Sequence, residues 1–241
     1  MIDGLLTWHL KGFSAARILD VGPGYSSFGR TAAATTGARE ITYVDCDTSV
    51  LEWQKAENAK TGVQTSTELF PLSAGGIDRL PGPYDVILCQ EVLEHLVDAE
   101  AVLAALARQL SPGGRMVITV PTRCSERWLK RLNPAYMRDE PHGHVREFSR
   151  ADLERLLSGC GLAAEVILPT QPHYFLAHTW LFGTRMKIEG STGRILSGGW
   201  RMRIMSRLLE GSRRFFMATG PGFWGRLLPR NYFVVATRRT A

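Results

Sequence analysis

Ile18-Leu19-Asp20-Val21-Gly22-Pro23-Gly24-Tyr25-Ser26-Ser27 is the stretch on which the reading of this chain turns. A short apolar run over 17–21 ends in an acid and a glycine turn, and residues 27–36 open a helix. A strand, a tight turn and a helix N-terminus together make a cradle for a nucleotide-like ligand. Gly22 and Gly24 let the backbone turn sharply and come close to that ligand. Asp20 falls at the carboxyl end of the strand, where open α/β sheets bind ligands. The dinucleotide fingerprint G-x-G-x-x-G does not fit, because Ser27 stands at the third glycine position. An aspartate just before the first glycine suits a nucleoside that carries an ammonium group. Asp20, Gly22, Gly24 and Tyr25 are therefore candidate cofactor-binding residues.

Further along, 40–45 reads as a second strand ending in Asp45, 21 residues after Gly24. An acid at that place can accept both ribose hydroxyls of a bound nucleoside. Cys46 follows, beside the adenine or in the core, and Thr48 or Ser49 can cap a helix running to Lys60. Residues 63–78 show no clear pattern, and Glu68 is the nearest acid there. A third convincing strand over 84–89 runs into Gln90-Glu91-Val92-Leu93-Glu94-His95-Leu96, so Gln90 and Glu91 stand next to the cofactor. An amphipathic helix is expected over 99–110, stopped by Ser111-Pro112-Gly113-Gly114, with a strand over 115–121. Ser149 and Asp152 mark a helix start for 151–159; strands follow over 161–168 and 231–237.

Three phrases, D-x-G-x-G from Asp20, V-L-E-H-L from Val92 and L-x-P-G-G from Leu110, stand in order across 18–121. In that order and spacing the chain resembles the class I S-adenosylmethionine (SAM) methyltransferases, and within them the type 11-like small-molecule enzymes. The resemblance implies an α/β fold: a Rossmann-like, doubly wound sheet of seven strands in the order 3-2-1-4-5-7-6, the last antiparallel. It implies SAM as cofactor and methyl transfer to a small-molecule or lipid-like acceptor, at oxygen. Members acting on small molecules often carry a histidine-rich phrase ending in F-S over the acceptor, here Pro141 to Ser149. His144 and His142 are accordingly the candidate general bases, since imidazole titrates near neutrality, and Glu94 and His95 complete the catalytic set. Glu91, Glu94, His95 and His144 also resemble the E-x-x-E-H…H set of small-RNA 2′-O-methyltransferases, which bind a divalent ion; on a helix the first three share a face. The expectation is nonetheless no metal. RNA 2′-O-methylation with a metal and a non-catalytic SAM-binding module are the alternatives.

The 241 residues suit one core with an insertion. A SAM-binding core over 1–170 and a final core strand in 231–241 are separated by 171–230, too long for a bare loop. That segment holds ten basic residues against Glu189 and Glu210, so it carries +8 of a net +6 and leaves the remainder at −2. Helical periodicity over 200–217 puts Trp200, Ile204 and Leu208 on one face and Arg203, Arg207 and Arg214 on the other. About 17 residues precede the first strand, enough for one short helix, so a cover over the acceptor is expected from 171–230. Nine aromatics and the arginines there favour an apolar or anionic acceptor and permit contact with an anionic membrane surface; nucleic acid is a less favoured partner. Four cysteines without C-x-x-C spacing read as reduced and mostly buried. No secretory signal or spanning segment is visible, which places the expectation in the cytoplasm, with a peripheral position on the inner face of a membrane allowed.

Overall fold

The computed structural model describes residues 2–134, 143–172, 174–176 and 221–239, together with 207, 210–212, 214 and 215. Its strands are β1 (Arg17–Val21), β2 (Glu40–Asp45), β3 (Gln64–Leu69), β4 (Tyr84–Gln90), β5 (Leu110–Pro121), β6 (Leu162–Thr170) and β7 (Asn231–Arg238). They form one sheet in the order β3-β2-β1-β4-β5-β7-β6. β1 to β5 run parallel, and β7 pairs antiparallel with both β5 and β6. The helices are α1 (Ile2–Leu10), α2 (Phe28–Thr36), α3 (Thr48–Asn58), α4 (Ala74–Ile77), α5 (Ala99–Gln109), α6 (Arg123–Leu132), α7 (Arg150–Gly159) and α8 (Pro221–Leu227).

The central strands are apolar throughout because both sheet faces are covered. Side chains alternate across the pleat. Leu19, Val21, Ile87, Cys89 and Ile118 pack on one face under Leu103, Leu106, Leu153 and Leu157 of α5 and α7. Ile18, Val86, Leu88 and Val117 pack on the other, against Leu6 and Leu10 of α1 and Ala32 and Ala33 of α2. Burying each large aliphatic side chain contributes about 1.5–3 kcal/mol. The order and the antiparallel last strand match the sequence expectation.

Several local expectations are corrected. β3 was illegible because it is an edge strand whose residues are at most half-buried, so it has no apolar rhythm. The cap of α3 is Asp47 rather than Thr48 or Ser49: its carboxylate accepts from the Ser49 N–H at 2.8 Å. Ser111 to Gly114 are an irregular part of β5 rather than a separate turn, with Gly113 at φ 74°. Helix α6 had no counterpart in the reading, since its charged sequence hides Ser125, Glu126 and Leu129 on a buried face. Leu93–His95 is a short 3₁₀ turn, not an α-helix, so Glu91, Glu94 and His95 do not share a helical face. Only Cys89 of the four cysteines is buried; Cys46 and Cys124 are exposed and Cys160 lies between. Of 200–217, only residues 207, 210–212, 214 and 215 are described, all helical; the remainder, and His142, lie outside the described residues. Among the described residues no helix is long and apolar enough to cross a membrane.

Candidate active site

A cavity of about 620 Å³ opens at the carboxyl ends of β1, β2, β4 and β5. The glycine turn forms one wall. Gly22 has φ 61° and Gly24 φ 49°, a region that suits glycine. A Cβ on Gly22 would stand 2.6 Å from Val92 Cγ2. The turn is braced from below by Gln54 and Arg30, which belong to no motif. Gln54, fully buried, donates to the carbonyls of Gly24 (2.7 Å) and Ser26 (3.0 Å), and Arg30 donates to Gln54 Oε1 (2.6 Å) and the Ser26 carbonyl (3.1 Å). Tyr25 lines the cavity, bonds Ser49 Oγ at 2.9 Å and meets Trp53 edge-on.

Asp20 is 2% exposed, and its Oδ2 has no hydrogen-bond partner. Burial pushes its carboxyl up to about 8, against the pull of the Gly29 N–H and the Arg30 charge. Helix α2 packs against it at Gly29, where a Cβ would lie 2.8 Å from Asp20 Oδ2 and 2.9 Å from the Tyr43 ring. Asp45 lines the same cavity and holds Asp47 N–H at 3.0 Å; burial raises its carboxyl as well. Cys46 stands in the wall rather than in the core. Gln90 is buried there with both amide atoms unpartnered, as are Thr119 Oγ1 and Asn231 Oδ1. Thr119, near the carboxyl end of β5, falls under the same rule as Asp20 and Gln90, whereas Asn231 opens an antiparallel strand, to which that rule does not apply.

The acids and histidines divide into two groups. Glu91, at φ 56°, is turned toward Asn231, whose Nδ2 donates to it at 2.8 Å. Its carboxyl is raised by burial, which outweighs the opposing Arg230 charge. Glu94, His95 and His144 come together instead, with donor atoms within 4.8 Å of one another. Glu94 is 1% exposed and neither carboxylate oxygen has a partner, so burial and the neighbouring Glu91 push its carboxyl well up. His95 reaches the cavity wall; His144 is not part of that wall and packs behind it, ring centroids 4.8 Å apart. The segment carrying His144 is pinned by Val145 and Arg146 N–H bonds to the Glu94 carbonyl, at 2.8 and 3.2 Å. Gln171 and Tyr174, where the 171–230 segment begins, close the far side of the cavity.

A model of the methyltransferase-domain family matches residues 1–165. The ubiquinone biosynthesis O-methyltransferase of Idiomarina loihiensis is 27% identical over 164 residues, which cover 66% of either chain. The chain thus spans just under two thirds of that relative's length. Among solved structures, the YcgJ protein of Bacillus subtilis has a TM-score of 0.58 at 16% identity, covering 99% of this chain and 98% of its own. A SAM-dependent methyltransferase from Clostridium acetobutylicum has a TM-score of 0.57 at 10% identity, covering 99% of this chain and 89% of its own.

Proposed function

Since the chain belongs to the methyltransferase-domain family of SAM-dependent class I enzymes, we propose that it methylates an oxygen of a small, apolar or lipid-like acceptor. The observation that carries this reading is the set of buried, unpartnered polar atoms around one cavity: Asp20 Oδ2, Gln90 Oε1 and Nε2, Thr119 Oγ1 and Asn231 Oδ1. Leaving each unmet costs about 1–3 kcal/mol, which a polar ligand of the right shape offsets. The donor supplies an electrophilic methyl group. Asp20 faces its ammonium and Asp45 its ribose, while the turn at Gly22 and Gly24 lets the backbone approach. Holding both reactants in line provides much of the rate. An acceptor hydroxyl must lose its proton, and His95, which reaches the cavity wall with His144 packed behind it, is the imidazole that would take it. The name of the Idiomarina relative supports oxygen as the accepting atom.

The 171–230 segment serves as the cover of the acceptor pocket. Gln171 and Tyr174 at its start and Arg230 at its end all line the cavity. Its excess of arginine suits an anionic acceptor or one presented at an anionic membrane surface.

A second reading adds a divalent ion, held by Glu94, His95 and His144. The donor set fits: two imidazoles and a carboxylate lie within 4.8 Å, and both Glu94 oxygens lack partners. Glu94, buried and with both oxygens unpartnered, is the carboxylate that would face the ion. An ion would lower the pKa of the acceptor hydroxyl.

Incubation with methyl-labelled SAM and a panel of phenols and catechols is expected to give an O-methylated product. Failure to bind SAM by calorimetry, or label found only on nitrogen or carbon, overturns the reading. Metal analysis of the purified protein, with Glu94→Ala alongside, decides the ion: a stoichiometric metal lost in the variant supports it, and a metal-free active enzyme removes it.

A further inference from the structure

Two buried carboxylates in this region, Glu94 and Glu126, lie behind the groups that line the cavity, and only the second has partners for its oxygens. Glu126, on α6, is 1% exposed, and each of its oxygens has a partner. Oε2 pairs with His144 Nδ1 at 2.7 Å, and Oε1 accepts from Arg230 Nη1 at 3.1 Å. Arg230 is itself fixed. Its Nη1 donates to Ser125 Oγ (3.1 Å) and its N–H to the Thr170 carbonyl (3.0 Å), while its carbonyl accepts from Thr122 N–H and Ser125 Oγ, both at 2.9 Å. Glu126 is anchored in turn by the start of α6, where Thr122 Oγ1 caps the helix and donates to the Pro229 carbonyl at 2.8 Å.

We propose that Glu126 is a positioning residue for methyl transfer, holding His144 with Nδ1 protonated and Nε2 unprotonated, its ring fixed beside Glu94 and His95. The proposal rests on the methyl-transfer reading above. A carboxylate already gripped by a guanidinium has no proton to give, so the imidazole is the donor in the 2.7 Å contact. A neutral imidazole carries one N–H, and the partner of one nitrogen decides the state of the other. Carboxylate–histidine pairs of this sort fix both tautomer and ring orientation. The pairing serves His144 whether it packs behind His95 as the base or holds an ion. Arg230 has the further effect of linking the end of the 171–230 segment to the histidine through a single carboxylate.

The test is nitrogen-15 NMR of histidine-labelled protein at pH 8, with His144→Asn identifying the signals of His144. Protonated Nδ1 and unprotonated Nε2 are expected; an Nε2–H tautomer or a doubly protonated ring overturns the proposal. In Glu126→Gln the Nδ1–H preference should be lost and kcat fall by about 10-fold to 100-fold, with SAM affinity unchanged. Glu126→Asp should restore part of kcat. A Gln variant with wild-type tautomer and kcat also overturns it. Because removing one partner of a buried pair can unfold a protein, the wild-type tautomer decides the matter if the Gln variant does not fold. That measurement needs no acceptor, so failure of the methyl-transfer reading is seen separately.

Discussion

Gly29 performs the task that the dinucleotide fingerprint gives its third glycine, two positions later than the fingerprint places it. Helix α2 comes so close to β1 and β2 that only a hydrogen fits between its backbone, Asp20 and the Tyr43 ring. Gly29→Ala should therefore destabilise the fold by about 1–3 kcal/mol through overpacking and weaken SAM, because Asp20 must give way. Calorimetry of the variant checks this, and wild-type affinity would remove the role. The Asp20 carboxyl, raised to about 8 by burial, binds its proton far more tightly in the folded chain than in the unfolded one. Its contribution to stability is thus largest below the ordinary carboxylate range and declines as pH rises toward 8. A bound ammonium favours the ionised form, so SAM affinity should rise over the same window. The increase in melting temperature on saturation with SAM should be larger at pH 8 than at pH 6 in wild type, and the difference should vanish in Asp20→Asn. An increment independent of pH in wild type would contradict this assignment. Asp45→Ala should cost about 1–3 kcal/mol of SAM binding if the acid holds the ribose; unchanged affinity would show that it does not.

Among the elements, 171–230 invites the most direct experiment. α8 lies close on β6, since a Cβ on Gly225 would come within 2.3 Å of the Pro169 carbonyl, and Arg230 closes the ion-pair network. Replacing only 177–219 with a glycine-serine hairpin keeps those contacts as well as Gln171 and Tyr174. SAM binding should persist and turnover should collapse; normal turnover would show that this stretch is no cover. The elements that were legible beforehand are those with a single strong signal. β1, β2 and β4 are buried on both faces and read as apolar runs. The cap of α7 was legible from Ser149 and Asp152, which form a reciprocal capping box. What escaped was decided by contacts distant in sequence. Glu126 became a site neighbour because a helix of mixed charge turned it inward, and Asn231 because the last strand begins beside Glu91. The phrase around Glu91 is legible in the sequence but its geometry is not: a left-handed Glu91 and a 3₁₀ turn separate that acid from Glu94 and His95.

Over the whole molecule, charge is divided unevenly, with the positive excess confined to 171–230. If that segment meets an anionic surface, the protein should co-sediment with anionic vesicles at low salt and be released as ionic strength rises and the Debye length shortens. Indifference to vesicles at low salt would remove the membrane contact and leave the catalytic reading untouched. A different consequence follows from the antiparallel β7. It slots between β5 and β6 and begins at Asn231, which holds Glu91, directly after Arg230, which holds Glu126. Those bonds reach back more than 100 positions, to carboxylates the ribosome made much earlier. Both acids therefore gain these partners only once the final strand is in place, so a polypeptide ending before 230 would leave Glu91 and Glu126 without them.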